Sequence, residues 1–463
     1  MADFFTCIEF AKTHLNFKHE LKEKQVQTLQ NLYEGRDVIS VLPTGYGKSI
    51  IFQLLPWLFQ RKYDSSTPCI VLVICPLNSI MEDQVMGLRE RGISACYIFG
   101  SVGKTFMTKA GFDYDSSEDE DESAWTIKDV SFKDISDGKY NIIYAHPESA
   151  LCKKMYSVFR SALYQTKICC VVIDEVHMVS EWGEEFRPKF KKLGDLTCLF
   201  DNCAHLAVTA TSSPSSILDL SKTLQYKNHV IVTVNPDRPN IYIDKKPRLP
   251  NSNKTDKYDE LIDPLAQELK IKLRDFPVTV LYVESLDALG YYYQYLNYTL
   301  KELQYHPTSD KTPEARIFAQ YHTDYTQNMK KHILQELRKD NPHVRLVLAT
   351  VALGMGLNAP GITRIIHARP PTTLEKYLQE IGRAGRTGQK STAILHYNKS
   401  DIAKNRKGLS PEMAKFCNVN DGCLRLELVK YFGFQTTVFD GPLEECCSNC
   451  RQSLVNAVDN VHL

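Results

Sequence analysis

Short, largely apolar runs rich in β-branched residues recur along this chain, each separated from the next by a stretch long enough for a helix. They fall at residues 70–75, 141–145, 168–173 and 206–209, then at 278–283, 317–321, 345–349, 364–367 and 391–395. Runs this apolar are unsuited to a sheet with one face in water. They need cover on both faces, and the intervening segments serve as crossover helices. The fold class that follows is α/β, with parallel sheets flanked by helices. The series pauses over 235–257, where PDRPN, KKPRLP and NSNKTDK form a stretch rich in proline and lysine, and this marks the way into a second α/β domain. After about residue 400 the β pattern stops and a helical, cysteine-bearing tail begins. The expected division is therefore 1–234, 235–400 and 401–463, and a chain of 463 residues has room for about three domains.

Charge and composition narrow the function classes. Fifty-six basic residues against 55 acidic ones leave a net charge of +1, so affinity for nucleic acid must come from a local basic surface rather than the whole molecule. The N-terminal MADFFTCIEFAKTH breaks its apolar run with Asp3, Glu9 and Lys12, and no uncharged run reaches the ~20 residues that span a bilayer. No membrane association is expected. Of 14 cysteines, Cys69, Cys75, Cys169 and Cys170 lie in apolar runs, where small buried thiols are expected rather than disulfides. Reduced cysteines and no leader point to the nucleus, or else the cytoplasm. The block DYDSSEDEDE at 113–122 reads as a solvated acidic loop; phosphorylation at Ser116 or Ser117 is the alternative.

Three motifs carry chemistry. Residues 42–49 read LPTGYGKS between an apolar strand and a helical run. Backbone amides from Thr44, Gly45, Tyr46 and Gly47 can close around phosphate oxygens, Lys48 can reach the β/γ-phosphates, and the Ser49 hydroxyl suits Mg²⁺. Leu42 stands where the strict P-loop pattern has its first glycine. Residues 169–177 read CCVVIDEVH, a buried strand ending in Asp174 and Glu175. Paired carboxylates there are costly unless something positive needs them. Asp174 suits Mg²⁺, and Glu175 suits the base that polarises an attacking water. Residues 376–388 read KYLQEIGRAGRTG, where Arg383 and Arg386 sit on a glycine-broken segment. The alternatives are a solvated basic turn and a phosphate-facing guanidinium, which as an arginine finger is worth ~10³–10⁵ in rate. The second option implies ATP held between two domains.

Together with CPLNSIMEDQV, YAHPE, SEWGEEFRPKF, VTATSS, PDRPNIY, VLYVES, YHTD and LATVALGMGLNAPGI, taken in order, these motifs make the chain resemble a RecQ-type superfamily 2 DNA helicase over nearly its whole length. The resemblance implies two tandem RecA-like domains and an ATP- and Mg²⁺-dependent 3′→5′ motor. Such a motor translocates on single-stranded DNA and unwinds duplex DNA, with single-stranded and forked DNA as partners, in repair, recombination or replication. Gln25 matches the glutamine that reads adenine, with Lys22 beside it. Gly354, Gly356 and Gln379 match second-domain positions around the nucleotide, with Arg386 the finger and Arg383 its supporting partner. Thr209, Thr211, His322 and Thr350 match positions that couple hydrolysis to DNA. Trp182, Phe186 and Arg187 lie on a loop after the hydrolysis motif, where aromatics can stack on bases; anchoring of that loop is the structural alternative. The family usually has histidine where this chain has Glu184.

In the tail, Cys423 opens LRLELVKYFGF, with Leu424, Leu428 and Phe432 on one side, and ECCSNC supplies Cys446, Cys447 and Cys450. On their own these residues read either as a tetrahedral Zn²⁺ set or as free thiols. RecQ helicases carry a zinc-binding subdomain here, and the ECCSNC spelling is similar to the Werner-syndrome-type branch. A closed Cys₄ site has a structural role, stabilising a tail too small for its own core. Cys417 is a near neighbour, but Cys423 leads the helix that matches the family. The chain ends soon after Cys450, so no winged-helix domain is expected. That leaves two alternatives to a helicase: a DNA-stimulated ATPase without processive unwinding, and a non-catalytic DNA-binding module.

Overall fold

The computed structural model describes residues 2–98, 130–177, 192–250, 255–350 and 359–459, without the side chains of Ser79 and residues 456–459. The chain divides into two compact units, Met1–Val234 and Asn235–Leu463.

The first unit is built on a seven-stranded parallel sheet of β1 (Val38–Val41), β2 (Ile70–Ile74), β3 (Ala95–Ile98), β4 (Ile142–Ala145), β5 (Ile168–Ile173), β6 (Ala204–Thr209) and β7 (Val230–Thr233). Their order is β3-β4-β2-β5-β6-β1-β7. The inner strands β1, β2, β4, β5 and β6 are buried at every residue, as the continuous apolar runs require. One face packs under helices Phe4–His14, Glu23–Tyr33, Lys48–Lys62 and Asn78–Glu90, and a second apolar cluster covers the other. Cys69, Cys75, Cys169 and Cys170 are buried in these layers as free thiols.

The second unit repeats the plan with six parallel strands. These are β8 (Ile241–Pro247), β9 (Thr279–Tyr282), β10 (Phe318–Tyr321), β11 (Leu346–Ala349), β12 (Arg364–His367) and β13 (Ser391–Tyr397), in the order β10-β11-β9-β12-β13-β8. Here the sequence reading needs correction. The stretch 235–257 contains β8, paired with β13 from Ile241↔Ser391 to Tyr397↔Pro247. Its Pro247 and lysines suit a strand with one open edge. The KKPR cluster is structural as well. Lys245 Nζ donates to the carbonyls of Cys417, at 2.9 Å, and Val419. Arg248 makes a buried two-pronged pair with Asp401, with Nε at 2.7 Å and a terminal nitrogen at 2.6 Å.

The tail packs onto this same sheet. Helices Pro411–Cys417 and Leu424–Tyr431, together with Cys446 and Cys447, share one core with Ile241, Ile243, Val280 and Leu395. Leu424, Leu428 and Phe432 form the inward stripe. Among the described residues, no helix is long and apolar enough to cross a membrane.

Candidate active site

In the first unit three strand ends converge. β1 runs into the phosphate loop, where Gly45 and Gly47 adopt φ of +82° and +88°, values that favour glycine. Gly47 caps helix Lys48–Lys62, whose amino end follows it directly. The loop is braced from behind by the helix that carries Gln25. Its amide nitrogen donates to the carbonyls of Tyr46 (3.0 Å) and Gly47 (2.9 Å), and its oxygen accepts from the Lys22 amide at 2.8 Å. Lys22 Nζ reaches the Gly45 carbonyl at 3.5 Å and lies 4.5 Å over the Tyr46 ring. Both residues thus act on the loop itself, a role that motif reading did not supply. Lys48 Nζ donates to the Leu42 carbonyl at 3.3 Å, and the Leu42 amide in turn donates to Thr209 O. Leu42 thereby ties Lys48 to the end of β6 through its backbone, where the strict pattern has glycine. Thr44, in the loop, and Ser49, in the first turn of the helix after it, are half-buried.

At the end of β5 the Asp174 amide still bonds to Ile74, and Val176 rejoins the ladder through Val208. Glu175, between them, turns into left-handed backbone with φ +50°, and its amide donates to Asp174 Oδ1 at 2.9 Å. Burial, then the adjacent Glu175 carboxylate, push the Asp174 carboxyl up to about 7, while Lys48 pulls it back. A carboxylate so deprived of solvent, with the Ser49 hydroxyl in the first turn of the helix after the loop, is the kind of oxygen donor that Mg²⁺ takes.

His177 connects this corner to β6. Its Nδ1 lies 3.4 Å from Glu175 Oε2 and 3.1 Å from Thr209 Oγ1. The Thr209 hydroxyl donates to Thr211 O at 3.0 Å and accepts from the Thr211 amide. With that proton committed, the Thr209 oxygen accepts from His177, which places the imidazole hydrogen on Nδ1, with Glu175 alongside. The expected coupling residues Thr209 and Thr211 therefore meet Glu175 through His177. The last letter of DEVH was the only trace of this in the sequence.

In the second unit, His322 and Thr350 follow the adjacent strands β10 and β11, and the Thr350 amide donates to Tyr321 O at 3.2 Å. Burial lowers the His322 pKa. Gln379 lies on helix Leu374–Ile381, and Arg383 and Arg386 on the glycine-broken segment after it. Both arginines act on Tyr282 at the end of β9: burial raises the pKa of this phenol, and the two cations oppose the rise. Trp182, Glu184, Phe186, Arg187, Gly354, Gly356 and the acidic block 113–122 lie outside the described residues.

The Cys423, Cys446, Cys447 and Cys450 sulfurs all lie within 4.8 Å of one another, with Cys423 and Cys446 at 3.5 Å. Four sulfurs around one Zn²⁺ at about 2.3 Å stand roughly 3.8 Å apart, so the set fits a tetrahedral site. Hydrogen bonds from Cys423 and Cys446 lower the Cys447 thiol pKa, while the hydrogen bond with Cys423 raises that of Cys446 and burial raises that of Cys450. Cys417 belongs to the apolar core instead, and burial pushes its thiol up to about 12.

Comparison with known proteins fits this architecture. A DEAD/DEAH box helicase family model matches residues 22–220, and a helicase conserved C-terminal domain model matches 284–388. The chain is 26% identical to ATP-dependent DNA helicase Q1 of Pongo abelii over 92% of its own length and 60% of that protein's. It is 28% identical to ATP-dependent DNA helicase RecQ of Haemophilus influenzae, over 93% of its length and 60% of that protein's. These relatives are RecQ-type helicases, and the chain is similar to them over more than nine-tenths of its own length. It spans about 60% of the length of these two RecQ-family relatives. Among solved structures, the DUF1998 helicase MrfA bound to DNA superposes with a TM-score of 0.60 at 16% identity, covering 93% of this chain and 54% of that one, a likeness of fold. The first matched domain holds Lys22, Gln25, the phosphate loop, Asp174, Glu175, Thr209 and Thr211. The second holds His322, Thr350, Gln379, Arg383 and Arg386. The cysteine knuckle lies beyond both.

Proposed function

We propose that this chain is an ATP-dependent DNA helicase that translocates 3′→5′ on single-stranded DNA and opens forked duplexes. The observation that supports the reading most is the chain of contacts from the phosphate loop to Glu175, His177, Thr209 and Thr211 in a protein similar to RecQ-type helicases. It joins the candidate base to the residues that end β6, the strand beside the one that leads into the phosphate loop. In this reading the loop amides and Lys48 hold the triphosphate, and Ser49 and Asp174 hold Mg²⁺. Glu175 polarises the attacking water, and Arg386, supported by Arg383, supplies a guanidinium to the transferred phosphate. Cys423, Cys446, Cys447 and Cys450 hold a structural Zn²⁺. Contacts to DNA go to phosphates and stacked bases, so binding is sequence-independent and weakens with salt. The nucleus is the proposed compartment.

Phosphate release measured with and without single-stranded DNA, followed by strand separation of forks with a 3′ or a 5′ tail, tests the proposal. Turnover should rise with DNA and only the 3′-tailed fork should open, while Lys48→Ala abolishes both. Wild-type-like turnover in Lys48→Ala would overturn the site, and turnover without opening of either fork would reduce the protein to a translocase.

A further inference from the structure

The stretch PDRPN, which the sequence marked only as a way into the second domain, does specific work on the arginine-bearing segment. Arg238 donates to three of its carbonyls, Gly382 (3.1 Å), Ala384 (3.2 Å) and Gly385 (2.8 Å). Asn240 donates to Gly385 and Gln389, each at 2.9 Å. These carbonyls follow the end of helix Leu374–Ile381, where orphaned acceptors and the negative end of the helix favour a cation. The fit is close: Gly385 has φ +62°, and a Cβ there would lie 2.2 Å from Asn240 Nδ2. Arg383 and Arg386 sit on the backbone gripped in this way.

The clamp is itself tied to the cysteine knuckle. Asp237 pairs with Arg425 at 2.6 Å, and both side chains are almost fully buried. Arg425 also donates to the carbonyls of Arg238 (2.8 Å), Ile241 (2.5 Å) and Cys446 (3.1 Å). The second Asp237 oxygen accepts from the amides of Val438 (2.7 Å) and Phe439 (3.1 Å). One guanidinium thus joins the backbone of a cysteine ligand to the residues flanking the clamp. The Ile243 amide adds a further link to Cys446 O at 3.5 Å, and Lys245 N–H one to Ser448 Oγ at 3.2 Å.

We propose that Arg238 and Asn240 are positioning residues for the Arg383/Arg386 segment, and that Asp237–Arg425 makes their grip depend on the metal-bound knuckle. The inference rests on the ATPase reading above for its kinetic consequence but not for its structural one. Two measurements on the full chain separate them. The first is amide hydrogen exchange of peptides covering 382–389, in wild type, in Arg238→Met and in wild type stripped of zinc by a chelator. Both perturbations should speed exchange there at least tenfold, and stripping zinc from Arg238→Met should add little more. The second is ATP turnover beside binding of a non-hydrolysable ATP analogue. Arg238→Met should lower kcat at least tenfold with analogue affinity within threefold of wild type, and Arg238→Lys should recover part of the loss. Asn240→Ala gives an independent, smaller loss should Arg238→Met fold poorly. Unchanged exchange at 382–389 in Arg238→Met and Asn240→Ala, or kcat and affinity falling together, would overturn the assignment. A wild-type protein without turnover but with the predicted exchange pattern would keep the clamp and sink the ATPase reading.

Discussion

Replacing Glu175 by glutamine and, separately, by asparagine divides the chemistry of this position from its backbone geometry. Glu175 is a β-strand-end residue held at φ +50° so that Asp174 and Val176 can both stay in the sheet ladder. Left-handed backbone costs an ordinary L-residue about 1–2 kcal/mol, and asparagine tolerates it best after glycine. Glycine is the poorer probe, since its extra unfolded-state freedom offsets the relief. Both variants remove the carboxylate and with it the repulsion that helps raise Asp174, so their difference isolates the backbone. Glu175→Asn should be more stable than Glu175→Gln by about 1 kcal/mol. Both should lose turnover by ~10²–10⁴, the range for a positioned general base, while retaining ATP binding. The stability arm is a urea titration followed by far-ultraviolet circular dichroism; the activity arm is phosphate release at saturating single-stranded DNA. If Glu175→Gln kept more than a tenth of wild-type turnover, another group would be the base. If the two variants unfolded together, the left-handed turn would not be strained.

Three further outcomes follow from other parts of the molecule. Gly47→Ala should abolish nucleotide binding in a fluorescent-analogue titration, because a Cβ at φ +88° would lie 2.7 Å from the Gln25 amide that braces the loop. Cys450→Ser should lower zinc content, measured by metal analysis, and destabilise the second unit, whereas Cys417→Ser should keep its zinc, since that thiol lies in the core. His396 is held neutral: burial, then Lys246, Arg248 and His367, push its pKa down to about 4. A depressed histidine contributes stability that is present above about pH 6.5 and is lost as pH falls from there toward 4, here about 2–3 kcal/mol. His396→Gln should flatten the fall in stability between pH 7.5 and 4.5, and an unchanged slope would refute that account.

The inner strands were legible because burial on both faces demands unbroken apolar runs, as at β2 and β5. The strands that the apolar runs did not single out, β3, β7 and β8, are all edge strands, although β7 reads VIVT and could have been found. With only one neighbour, they admit Tyr97, exposed Ile231, or the lysines and proline of β8. The site divides along the same line. Residue types that chemistry demands at fixed spacing, such as Lys48, Asp174 and Glu175, announce themselves. Residues that act by reaching across the fold do not. Gln25 bracing the loop, His177 bridging to Thr209, and Arg238 gripping distant carbonyls depend on contacts between segments far apart in sequence.

The register of β8 also bears on how the protein emerges from the ribosome. It is the first strand of its sheet to be synthesised, yet its sheet partner is β13, with Ile241 opposite Ser391. The first unit can fold while the second is still being made. The second must leave β8 waiting until almost all of its other strands exist, because so distant a pairing recovers its closure entropy only late. Its nascent edge, carrying Lys245, Lys246 and Pro247, is well suited to that wait, since charge and proline discourage pairing with a stranger.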